Sequence, residues 1–232
     1  QPDHQISQRW RQPRVHLQSG EVHLDFISVL VPIAGTRRQV WIVGHSIVHW
    51  AVEWAARSSA GEQLGLKHTL RIEWLGMRGM LWDRLLPTVW KRAREQGHPD
   101  TLIVQLGEND LTGWKGIDLI LSMKATLEFL HDSFPDMMII WSDLLQQRVW
   151  RGAASIRGVE RARRKINRAI GNLVSQWGRV IISHHDISFR NSKLFRQDGV
   201  HLSDMGMEQW LKSIKAAIVK WWKLQYSGGR RV

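Results

Sequence analysis

The chain has no cysteine, one tyrosine and six prolines in 232 residues. The missing thiol excludes a disulfide framework, a cysteine-based zinc site and a cysteine nucleophile together. No apolar run approaches the roughly 20 residues needed to cross a bilayer; the stretch Phe26 to Ala34 is interrupted by Ser28 and Pro32. The first residues are polar and mixed in charge, without the basic start and apolar centre of a secretion signal. Starting at Gln1, the chain reads as a fragment, and an intracellular setting, cytoplasm or nucleus, is the expectation.

Acidic residues are also scarce, 21 against 33 Lys and Arg, for a net charge of +12. Between Arg148 and Arg168 the only acid is Glu160, and after Glu208 every charged residue is basic, from Lys212 to Arg231. Such a surface favours anionic partners. With 43% hydrophobic and 23% charged residues, the composition is nonetheless that of a folded globular domain rather than a disordered tail.

Residues 1–37 carry Pro2, Pro13, Gly20, Pro32 and Gly35 with little periodicity, and read as a leader or linker with at most one extra strand. From residue 38 to 225 short apolar runs alternate with helical segments, which predicts one α/β domain; 226–232 reads as a flexible basic tail. Strands are expected at Gln39 to Val43, Thr69 to Leu75, Thr101 to Leu106, Met137 to Trp141 and Val180 to Ile182. Helices are expected at Ile47 to Arg57, Leu81 to Gln96, Ile117 to His131, Ile156 to Trp177 and Asp204 to Leu224. Five strands with helices between them imply a three-layer α/β/α sandwich on a parallel sheet, and with right-handed crossovers the flavodoxin-like order 2-1-3-4-5 is the simplest expectation.

Reactive groups on such a sheet gather beyond the carboxyl ends of the strands. After the first strand comes Gly44-His45-Ser46, a tight turn with a serine near a helix start. After the second comes Gly79, with Gly76 as a rival, and after the third Gly107-Glu108-Asn109-Asp110. After the fifth comes Asp198-Gly199-Val200-His201. A carboxylate three residues before an imidazole can fix its tautomer while the other ring nitrogen reaches a distant serine. Backbone N–H groups of Ser46 and Gly79 and the Asn109 amide are suited to holding an oxyanion.

The ordered set GHS, Gly79, GEND and DGVH resembles the four blocks of the SGNH (GDSL-like) hydrolase superfamily, over about Val40 to Gly206. The resemblance implies the SGNH hydrolase fold, with Ser46 as nucleophile, Asp198 and His201 completing a triad, and an oxyanion hole at Ser46, Gly79 and Asn109. No cofactor is implied. The family's first block usually reads GDS, and His45 replaces the aspartate, which bears on the nucleophile turn and its efficiency. A narrower resemblance, carried by WIVGHSIVHW, GMRGM, RARRKINRAIG and LFRQDGVHLSD, is to esterase-like domains of vertebrate retrotransposon reading frames.

His45, Arg78 and Glu108 are candidates for contacting substrate, a small-molecule, lipid or carbohydrate ester with a short acyl or acetyl group. His184 and His185, with His45 and His49, lack close zinc-binding spacing, so no metal is expected. Arg157, Arg161, Arg164, Lys165 and Arg168 avoid the apolar stripe of their helix and are candidates for anion binding. They support the alternative to a serine esterase: a catalytically weak scaffold that binds nucleic acid or another anionic surface. The 14 tryptophans fall mostly within apolar segments, where core packing is the expectation.

Overall fold

The computed structural model describes residues 37–178 and 180–227; the expected leader and most of the expected tail lie outside the described residues. The sheet comprises β1 (Arg38–Gly44), β2 (Leu70–Gly76), β3 (Thr101–Gln105), β4 (Met138–Ser142) and β5 (Ile181–Ile182). All pairings are parallel and the order is β2-β1-β3-β4-β5, as expected from the alternation in sequence.

Helices α1 (Ser46–Arg57), α2 (Leu85–Gln96), α3 (Gly116–Ser133), α4 (Ile156–Gln176) and α5 (Asp204–Ser227) cover both faces. A parallel sheet covered on both faces needs strands that are apolar on both. Val40, Trp41, Ile42 and Val43 are all fully buried for this reason. Alternate residues serve different layers: Trp41 and Val43 join Leu102, Val104, Ile139 and Trp141 under α2, α3 and α4. Val40 and Ile42 join Ile103 and Ile140 under α1 and α5.

Trp41, Trp82, Trp141 and Trp210 are among the largest fully buried side chains, in keeping with core packing. The second helix begins at Leu85, later than its periodicity suggests. Trp82–Arg84 form a 3-10 turn, and Pro87 fits only in the first helical turn, where its missing N–H goes unneeded. No helix of the described residues is long and apolar enough to cross a membrane.

Register places the site. Gly44 at the end of β1 lies opposite both Gly76 of β2 and Gln105 of β3. The chain leaves β1 toward β2 on one side and reaches β3 on the other, so the crevice between the ends of β1 and β3 is the topological switch point.

Candidate active site

Ser46 opens α1, with His45 as its N-cap. The turn passes so close to β3 that a Cβ on Gly44 would overlap the Gln105 carbonyl oxygen, which explains the glycine. As the first residue of a helix, Ser46 has a backbone N–H without an intrahelical partner. The Ser46 side chain is half-buried, and its Oγ lies 3.4 Å from His45 Nδ1.

Asp198 and His201 meet on the loop before α5. Asp198 Oδ2 lies 2.6 Å from His201 Nδ1, and Oδ1 accepts the N–H groups of Val200 and His201, each at 2.9 Å. Burial works against its charge, but the His201 ring and these two N–H groups outweigh it and hold the carboxyl down to about 2. An ionised Asp198 keeps the His201 proton on Nδ1 and leaves Nε2 as the lone-pair nitrogen. The loop is pinned by the Phe195–Leu202 bridge and by Gly199, whose φ is +66° and whose carbonyl accepts the N–H groups of Arg148 and Val149. Among the described residues no hydrogen bond joins His201 to Ser46; the hydroxyl's neighbour is His45.

Gly79 has a φ of +69°, stands exposed after β2, and makes no hydrogen bond through its N–H among the described residues. Asn109 Nδ2 donates to the Met80 carbonyl at 3.0 Å, tying the loop after β3 to that after β2 and leaving its second amide hydrogen over. The rival Gly76 serves packing instead. A Cβ there would overlap the His49 backbone nitrogen, so the glycine lets β2 approach α1.

Two of the expected substrate contacts are corrected. His45 and Glu108 are each 2% exposed and bonded to each other, His45 Nε2 to Glu108 Oε2 at 2.7 Å, so neither faces a ligand. Burial pushes the Glu108 carboxyl up, but the His45 imidazole and the Leu145 N–H pull it further down, below the usual carboxylate range. Glu108 Oε1 also accepts from Gln105 Nε2 at 2.7 Å and from the Leu145 N–H at 2.9 Å.

Behind this pair the network continues: Gln105 Oε1 accepts from Ser142 Oγ at 2.5 Å and Trp210 Nε1 at 3.0 Å, and His184 Nε2 lies 2.7 Å from Ser142 Oγ. Burial holds His184 down to about 4, so it is a neutral member of the core network. Sequence reasoning missed Glu108 as the partner of His45. The available signal was a histidine at a buried strand end, which must find a polar partner. Asp110, also buried, accepts the Trp82 N–H at 3.1 Å, and burial pushes it up to about 6.

Arg78 is exposed, as a substrate contact would be. Its Cζ lies 5.5 Å from the ring centroid of Trp50, one helical turn beyond Ser46, and Arg196 Cζ lies 4.8 Å from the same ring. Trp50 and Arg196 line a cleft of about 200 Å³ together with Trp54, Leu202, Glu53 and Asp204.

No family model matches the sequence, and no curated protein matches it. Solved structures do. A GDSL-like lipase from Bacteroides thetaiotaomicron superposes with a TM-score of 0.61 at 15% identity, covering 84% of this chain and 94% of the lipase. A member of the lipolytic G-D-S-L family from Veillonella parvula gives 0.60 at 12%, covering 78% and 98%. A psychrotrophic esterase from Pseudoalteromonas sp., in a form inhibited by monoethylphosphonate, gives 0.58 at 14%, covering 80% and 99%.

At such identities the likeness is one of fold: this chain has the α/β fold of the GDSL-type, or SGNH, hydrolases. A buried His45–Glu108 pair stands beside its serine.

Proposed function

We propose that the chain is a serine esterase that cleaves a carboxylic ester through an acyl-serine intermediate on Ser46. His201 Nε2 takes the Oγ proton as the oxygen attacks the carbonyl carbon. Ser46 N–H, Gly79 N–H and the Asn109 amide hold the developing oxyanion. The imidazolium returns the proton to the leaving alcohol, and water then releases the acid by the same steps in reverse. The observation that carries the reading is the 2.6 Å Asp198–His201 pair, whose Nε2 makes no hydrogen bond among the described residues. Its loop reaches α1 through Arg196 and Trp50, one turn from Ser46. A loose serine–histidine contact is common before substrate binds.

The acyl group in this reading is short, acetyl or slightly longer, and the retrotransposon-type resemblance rests on the four motifs given above. Arg78 and Arg196, which make no ion pair among the described residues, favour an ester that also carries a carboxylate or phosphate. The test is labelling by a fluorophosphonate probe together with hydrolysis of an ester panel. Both should be lost in Ser46→Ala with the fold intact; full activity in that variant would sink the reading.

A second reading, binding of nucleic acid or an anionic surface, is favoured by α4. Arg157, Arg161, Arg164, Lys165 and Arg168 avoid its buried stripe, and none forms an ion pair among the described residues. Arg163, in contrast, turns inward to Glu160 and the Leu144 carbonyl. Binding should weaken steeply with salt and vanish when Arg157, Arg161 and Arg164 become glutamate; binding indifferent to both changes would remove it.

A further inference from the structure

We propose that His45 is a second base for Ser46, with Glu108 as the carboxylate that sets its tautomer; the inference rests on Ser46 being the nucleophile. Glu108 Oε1 accepts from Gln105 Nε2 and the Leu145 N–H, and Oε2 lies 2.7 Å from His45 Nε2. With two N–H donors at Oε1 and a carboxyl held below its usual range, Glu108 is a carboxylate, and the ring nitrogen facing it, Nε2, carries the His45 proton.

The Ile47 N–H approaches His45 Nδ1 at 3.4 Å, which requires a lone pair there. The Ser46 hydroxyl at the same nitrogen, also 3.4 Å away, is then the donor. The result is a second chain of carboxylate, imidazole and hydroxyl, Glu108 to His45 to Ser46, enclosed where the Asp198–His201 pair is half open.

In the step assigned to it, the Oγ–H bond breaks and the proton moves to Nδ1. The oxygen's electron pair forms the bond to the electrophile, and the imidazolium is held by Glu108 across 2.7 Å. Two features make His45 the less well placed acceptor for the serine proton. The contact to Oγ is long, and a proton on Nδ1 would face the Ile47 N–H. Its contribution therefore becomes visible when His201 is removed.

A role as helix cap alone predicts something different, because asparagine caps as well as histidine does but is no base. Glu108→Gln separates the two more finely. The Gln105 and Leu145 donors demand an oxygen at Oε1, so the new amide NH2 must face His45 Nε2. That drives the ring proton to Nδ1 and abolishes the acceptor facing Ser46, with almost no change of shape.

The experiment measures fluorophosphonate labelling rates in the full chain. His201→Ala should label more slowly than the unaltered chain but faster than Ser46→Ala. Adding His45→Asn or Glu108→Gln should lower that residual rate by at least about tenfold. Equal rates with and without the second change overturn the proposal, as does a His201→Ala variant no faster than Ser46→Ala. An unaltered chain that does not label at all removes the esterase reading itself, a distinguishable outcome. Should a double variant fail to fold, ring 15N shifts of His45 in the unaltered chain decide: the Nε2–H tautomer is expected, and Nδ1–H overturns the proposal.

Discussion

Two histidine–carboxylate pairs, built in different ways, carry the chemistry proposed for Ser46. His45 and Glu108 come from the turns after adjacent strands, with side chains 2% and 0% exposed, and their partners are held by the end of the sheet. His201 and Asp198 share one loop, at 26% and 29% exposure, with Asp198 bonded to backbone N–H groups close by. The pair at the end of the sheet is bound into the core and is difficult to alter without loss of stability. The pair on the loop is partly open to solvent where a substrate can reach it, and its aspartate is held by backbone N–H groups of the same loop.

Loss of the loop pair should leave the protein folded and truncation of the buried pair should not; the reverse pattern would overturn this contrast. Asp198→Asn should lower kcat/KM by about 10⁴-fold, while the denaturation midpoint falls only by the modest contribution of a partly exposed carboxylate, because the group chiefly fixes a tautomer and the fold rests on the core. Glu108→Ala should destabilise the chain by about 3–5 kcal/mol in urea titration, since it strands three donors in the core.

Smaller effects sharpen the contrast. Arg78→Ala should raise KM about tenfold for an ester bearing a carboxylate and leave a neutral ester within about twofold, roughly the contribution of one charge-assisted hydrogen bond. Stability against pH separates loop from core in sign. Asp198, held down to about 2, contributes stability above its ordinary value that is lost as pH falls toward 2. Asp110, pushed up to about 6, binds its proton more tightly in the folded chain, so its contribution declines as pH rises from its ordinary 3.8 through 6. Denaturant midpoints for Asp198→Asn and Asp110→Asn, followed from about pH 2 to about pH 7, should each lose the corresponding slope.

Much of this was legible in the chain. Val40 to Val43 reads as a strand buried on both sides because only a sheet covered by two helix layers tolerates four such residues in a row. The loop pair was visible as Asp198 and His201, three residues apart, because its chemistry is local. Less legible were the start of α2, where Pro87 imposes its own position, and the direction of His45 and Glu108, which motif position aims at a ligand but burial turns inward.

Periodicity and spacing by themselves determined the layers and the loop pair, since each depends on a repeated apolar pattern or on contacts within a few residues, while the strand order followed as the simplest one that right-handed crossovers allow. Only the tertiary structure decided the partner of His45. Glu108 lies 63 residues away, and the two meet because the parallel register sets Gly44 beside Gln105, so that the turns after β1 and β3 bring both side chains together at the buried end of the sheet.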